Sequence, residues 1–141
     1  MSNEAILRHN PEAVWPVPEG FRSIYAHGVE LRSNARLLFV SGQIGIARDG
    51  SLAADFEAQC KMAMTNVDAL LAAAAMTHTD IVRLVFYLTR AIDLPMLGEL
   101  RRKRWASSTP PAVTTLVVAA LARPELLIEI EVTAAALVLA T

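Results

Sequence analysis

The sequence predicts an α+β domain, one sheet with two helices packed on one of its faces. Three observations carry this. Segments rich in β-branched and aromatic residues occur near both ends and in the middle of the chain. An apolar stripe with helical spacing runs from Ala53 to about Met76. A second helical stretch follows Pro95. In chain order the elements read β-β-α-β-α-β-β, with no repeat, low-complexity tract or linker, so the 141 residues form a single domain, 1–141. Helices on one face leave the other face to be covered by something else. Oligomerisation is the economical answer.

Residues 1–20 read as irregular, punctuated by Pro11, Pro16, Pro18 and Gly20, and lie along the surface or on the rim of a site. Arg22–Glu30 has the composition of a short strand. Asn34 marks a turn, and Ala35–Ile46 is the next strand, so the two are expected to pair as a hairpin. Gly42 within the second strand points to a bulge or a close backbone approach. After the Asp49-Gly50 turn, Phe56, Cys60, Ala63, Val67, Leu70 and Ala74 step by three or four residues and define the long helix. Asp80–Thr89 is a strand, and Pro95 suits the first turn of a helix over Met96–Ala106. Val113–Leu121 is apolar throughout and reads as buried on both faces. A short turn joins it to Leu126–Val132, where apolar residues alternate with Glu129 and Glu131.

Hydrophobic residues make up 54% of the chain and charged ones 19%, and mean hydropathy is +0.39. That richness fits apolar surface buried between subunits better than it fits a monomer high in alanine. A net charge of −1 provides no global field for nucleic acid or an anionic membrane. The single cysteine, Cys60, fits a reducing cytosol and sits on the helix's apolar stripe as a core residue. Residues 1–12 carry Glu4, Arg8 and Glu12 in place of an apolar signal core, and the apolar run 112–122 is too short to span a bilayer as a helix. A cytoplasmic protein without a membrane segment is expected.

The alternating carboxylates are the first place to look for chemistry. Glu129 in a cleft can hold and activate a water as a general base, although alternating glutamates are ordinary on a solvated strand face. Tyr25 can donate from its phenol or pack as a half-buried strand aromatic. Ser41 beside Gly42 can present a hydroxyl or a backbone N–H to a ligand, or simply serve a bulge. His27, two residues after Tyr25, shares its strand face; His9 and His78 have no spacing that implies partners. No cluster has metal-ligand spacing, so neither a metal nor another cofactor is expected. The Arg101–Arg104 run can be read as a nucleic-acid patch. Cations complementing the end of a helix are the more economical reading.

The segment 38–44, LFVSGQI, resembles a motif of the RidA/YjgF family of reactive intermediate deaminases. Glu57-Ala58-Gln59 with Asn66, the stretch Asp80–Thr89, and the closing Ile128-Glu129-Ile130-Glu131 are similar to further motifs of that family. Together they cover roughly residues 22–136. The resemblance implies a chorismate-mutase-like fold and a homotrimer with its sites between subunits. It implies hydrolysis of a small imine or enamine to a keto compound and ammonia, with Glu129 and Tyr25 catalytic. Ser41, Gly42 and Thr115 occupy positions that line the family's substrate site. Two positions depart from the pattern. Val113 stands where deaminating members carry the arginine that clamps a carboxylate, and Ile92 where they carry an asparagine. Both imply a more apolar substrate, less dependent on a carboxylate clamp. A small-ligand-binding trimer without catalysis is the second reading, and an RNA-acting protein the third.

Overall fold

The computed structural model of the chain describes residues 5–32 and 34–138. Six strands and two helices follow in the order β1 (Ile6–His9), β2 (Gly28–Leu31), β3 (Ala35–Ile44), α1 (Phe56–Ala73), β4 (Ile81–Leu88), α2 (Leu94–Trp105), β5 (Ala112–Val117) and β6 (Ile128–Leu137). The main sheet has the order β3-β6-β4-β5, with β6 antiparallel to both neighbours and β5 parallel to β4. A separate two-stranded ribbon joins β1 and β2.

Local chemistry sets the helix limits. Asp55 caps α1, its carboxylate accepting the Ala58 N–H at 2.8 Å, and Glu57 in the first turn suits the positive end of the dipole. The helix stops where Ala75 turns left-handed, at φ 55°, and the N–H groups of Ala75 and Met76 return to the carbonyls of Ala72 and Leu71. Those two bonds close a Schellman end without the usual glycine. Pro95 lies in the first turn of α2, as its fixed φ favours. Phe56, Cys60, Ala63, Met64, Val67 and Leu71 of α1 and Leu97, Leu100 and Trp105 of α2 pack onto Leu84, Phe86, Leu88, Ile128, Ile130 and Val132 of the sheet. The stripe read in the sequence is the core face at Phe56, Cys60, Ala63, Val67 and partly Ala74, whereas Leu70 is exposed and Met64 and Leu71 are buried in its place. Truncating Phe86, which is fully buried, would cost about 3–5 kcal/mol.

Two amides, the buried Gln59 and the half-buried Asn66, lock this layer. Gln59 donates to the carbonyls of Ala53 and Glu125 and accepts the N–H of Leu127. Gly45 lets α1 approach, since a Cβ there would lie 2.6 Å from the Gln59 Cα. Asn66 donates to the carbonyls of Ile44 and Ile46. The glutamine and asparagine of the helix motif thus hold the fold together.

Three expectations are corrected. The 1–20 segment is not wholly irregular, because Ile6–His9 is a strand; residues 1–4 lie outside the described residues. The expected hairpin between Arg22–Glu30 and Ala35–Ile46 does not form. The four-residue β2 finds a partner of equal length in β1, and the ten-residue β3 finds one in β6. The stretches 113–121 and 126–132 are not paired with each other either. The first is the shorter β5, which sits at the sheet edge against β4, and the second extends to Leu137. Because β5 lies beyond the two helices, Leu116 and Val117 are exposed, so this strand is not buried on both faces within one chain. The face away from the helices is bare and partly apolar, with Phe39 74% and Leu37 49% exposed.

Candidate active site

Alternation along β6 sends Ile128, Ile130 and Val132 into the core and turns Glu129 and Glu131 to the bare face. Glu129 stands opposite Ile44 on one side and Tyr87 on the other. The β3–β6 register shifts between Val40 and Gln43, so Ser41 and Gly42 form a bulge, and the glutamate side chain lies across it. A Cβ on residue 42 would fall 2.5 Å from the Glu129 carboxyl carbon and 2.6 Å from its Oε1. A side chain at position 42 would displace the Glu129 carboxylate, which occupies that space. Both features anticipated for Gly42, a bulge and a close approach, are present together.

The two carboxylates differ in what they touch. Glu131 accepts the Tyr87 hydroxyl at 2.8 Å. That bond, then slight burial, then the charges of Glu131 and Glu129 hold the Tyr87 phenol above its ordinary pKa. Glu129 makes no side-chain hydrogen bond or ion pair among the described residues. It is half-buried, with both oxygens available to a ligand or a water.

The other site residues fall in three places. Ile92 is 81% exposed in the turn Ala91–Asp93, held by the Arg90 guanidinium on the Asp93 carboxylate at 2.8 and 3.0 Å. This turn follows β4 at the same end of the sheet as Glu129. Val113 pairs with Leu84 and packs against the core, so it lies on the helix side of β5, as does the exposed Thr115 opposite Phe86. Tyr25 lies near the other end of β5, where Ala26 bridges to Ala112. Four residues of β4 separate that bridge from the Glu129 register, about 13 Å. Within one chain the structure brings Ser41, Gly42 and Glu129 together and keeps Tyr25 away from them.

Tyr25 belongs to a pocket of about 230 Å³ that also presents Arg8, Asn10, Arg22, Ser108 and Pro110. Of these residues the sequence reading singled out only Tyr25. The others are scattered between positions 8 and 110 and share no motif. His27 supports this region by donating from its ring Nε2 to the Trp15 carbonyl, 2.6 Å away, while its backbone N–H donates to Asn10 Oδ1. A nearly closed void of about 10 Å³ under β4, lined partly by Ile24, Arg101 and Trp105, is too small for a ligand.

The basic run on α2 is engaged within the fold. Arg101 is buried, donates to the Ile24 carbonyl at 3.1 Å and lies 4.9 Å from the centre of the Phe86 ring. Burial, then the Arg102 charge, lowers its pKa to about 10, still far above neutrality, so the group stays cationic. Arg102 covers Phe21 and binds the Gly20 carbonyl, Lys103 pairs with Glu99, and Arg104 pairs with Asp68. Cys60 is fully buried, and burial pushes its thiol to about 12, so it is inert. Among the described residues no group of histidine, cysteine and carboxylate side chains is placed to hold a metal ion, and no helix is long and apolar enough to cross a membrane.

A family model described as Endoribonuclease L-PSP matches residues 22–136. The RutC family protein YjgH of Escherichia coli is 41% identical over 75 residues, which are 51% of this chain and 56% of that protein. The putative reactive intermediate deaminase TdcF of Escherichia coli is 30% identical over 80 residues, 56% of this chain and 60% of that protein. These matches thus span less than two thirds of either relative. Among solved structures, YyfB of Yersinia pestis, described as a Rid family protein of unknown function, superposes with a TM-score of 0.80. It is 32% identical, with 93% of this chain and 98% of that one covered. With two helices on one face of a mixed sheet, the motifs of β3 and β6 in register, and a family match over most of its length, the chain belongs to the RidA/YjgF family and has its chorismate-mutase-like fold.

Proposed function

We propose that the protein is a deaminase that hydrolyses a small imine or enamine, with Glu129 as general base. The observation that carries this is the carboxylate laid across the Gly42 bulge with no partner of its own among the described residues. A relative named as a putative reactive intermediate deaminase supports the reaction class. Glu129 takes a proton from a water as the oxygen attacks the C=N carbon, and the nitrogen gains a proton. The carbinolamine then collapses, the C–N bond breaks, and ammonia leaves as the C=O bond forms; an enamine first tautomerises to the imine. A carboxylate base of this kind contributes about 10²–10⁴-fold. With Val113 in place of a cation, no charge meets a substrate carboxylate at that position, which favours a more apolar substrate.

The bare face with Phe39 and Leu37, and the separation of Tyr25 from Glu129, support a homotrimer whose subunits share each site. The test is ammonia release from freshly generated imines of graded polarity, with Glu129→Gln as the variant. The variant is expected to lose about 10²-fold or more in turnover while keeping its oligomeric state. Full activity in it would sink the assignment. The second reading, a binding trimer without catalysis, is favoured by the two positions that offer no polar anchor, Val113 and Ile92, and predicts that no imine is turned over. An RNA-acting role gains nothing from Arg101–Arg104, whose side chains are engaged on the helix side.

A further inference from the structure

The pocket around Tyr25 is built, not incidental. Arg8 of β1 donates to the Pro110 carbonyl at 3.0 Å and to the Thr109 carbonyl at 2.8 Å, tying one wall to the other. The intervening segment is held by backbone bonds from Ser107 N–H to the Ser23 carbonyl and from Ala26 N–H to the Pro111 carbonyl. The Tyr25 ring is fixed edge-on between Phe21 and His27, with centroids 6.3 and 5.7 Å away. These restraints come from three separate parts of the chain, so the cavity is preformed.

Among the described residues its lining has one sign of charge: Arg8 and Arg22 contribute guanidinium groups, and no carboxylate of those residues lines the pocket. Arg22 makes no side-chain hydrogen bond or ion pair among the described residues. Asn10 accepts the His27 N–H through Oδ1, which fixes its amide and leaves Nδ2 to donate elsewhere. Ser108 and Tyr25 add hydroxyl donors at the same cavity. One guanidinium without a partner matches a monoanion, and its planar fork matches a carboxylate. A volume of about 230 Å³, below that of drug-sized sites, suits an acid of a few carbons.

We propose that this pocket binds a small monocarboxylic acid, with Arg22 as its charged partner and Asn10, Ser108 and Tyr25 as neutral donors. Within one chain it is distinct from the Glu129 site. Identifying the bound acid with the carboxylate of an imine substrate rests on the hydrolase reading above; the binding itself does not.

The test is calorimetric titration of the full chain with propionate and with propionamide, which has nearly the same shape and no charge. Propionate is expected to bind at least about 10-fold more tightly than propionamide, and Arg22→Gln to remove that preference. Arg22→Lys, which keeps the charge but loses the fork, should recover part of it. Arg48→Gln, at an exposed arginine outside the pocket, should change nothing. Equal affinity of wild type and Arg22→Gln for propionate, equal affinity for acid and amide, or no propionate binding at millimolar concentration would each overturn the proposal.

Turnover of one imine with a carboxylate and one without separates the two sources of the acid. A higher KM in Arg22→Gln for the acidic imine alone makes it the substrate's own carboxylate. Unchanged KM values with weakened propionate binding make it a separate ligand. Both outcomes uphold the pocket. Propionate binding through Arg22 with no imine turned over would remove the hydrolase reading and leave this one standing.

Discussion

Two short charged runs invite functional readings, Arg101–Arg104 on α2 and Glu129–Glu131 on β6, and the structure treats them in opposite ways. In the arginine run each cation has a partner, from the Ile24 carbonyl under Arg101 to the Asp68 carboxylate beside Arg104. In the glutamate pair one carboxylate is engaged by Tyr87, and the other rests on a glycine with no partner among the described residues. Density of charge is therefore a poor guide to chemistry here. What distinguishes Glu129 is that the fold positions it without using it.

That contrast can be broken at several points. Arg101→Ala removes a buried guanidinium, leaves the Ile24 carbonyl without its donor and uncovers Phe86; urea unfolding should show a loss of about 3 kcal/mol. Arg101→Met should recover part of this, because the apolar stem fills the space without a charge to bury. A loss below about 1 kcal/mol would mean that the run is a solvated face after all.

Gly42→Ala sharpens the other side of the contrast. The new methyl group meets the flexible end of Glu129, so the carboxylate moves while the backbone stays. Turnover should fall about 10-fold or more, some 1.4 kcal/mol in barrier, with little change in stability. Unchanged turnover would separate Glu129 from the reaction.

A third test addresses Glu131. The chain has two tyrosines, and ultraviolet titration should show one phenol ionising above the usual value near about 10. Glu131→Gln should lower it toward that value. Since the folded-state pKa is the raised one, the linked stability is intact below the unfolded value. It fades as pH rises from there through the folded value, on the alkaline side only. The smallest effect belongs to Lys103→Ala, which breaks an exposed pair with Glu99 and should shift stability by less than about 0.5 kcal/mol.

The helices and most strands of the main sheet were legible because their apolar residues repeat with the period of the element. The pairings were not. Periodicity tells which face of β3 is buried, and nothing in it says that the partner is β6, some ninety residues later, in place of the neighbouring β2. β1 escaped notice because four residues flanked by polar ones carry no period. At the site, Gly42 was readable as an anomaly within a strand, and Glu129 through its motif. Arg22, Asn10 and Ser108 were not, because they meet only through the long-range contacts that hold the segment around Tyr25 against the loop before β5.

The position of β6 also bears on how the protein comes into being. The strand that lies between β3 and β4 is the last of the six to leave the ribosome, so β3, whose sheet partner is β6, must wait for it with neither edge paired. Within the main sheet, only β4 and β5, with α2 between them, can assemble as a local unit beforehand. Synthesis therefore holds an apolar ten-residue strand exposed until residue 137 has emerged, and a nascent chain stalled before that point is a substrate for chaperones or for aggregation.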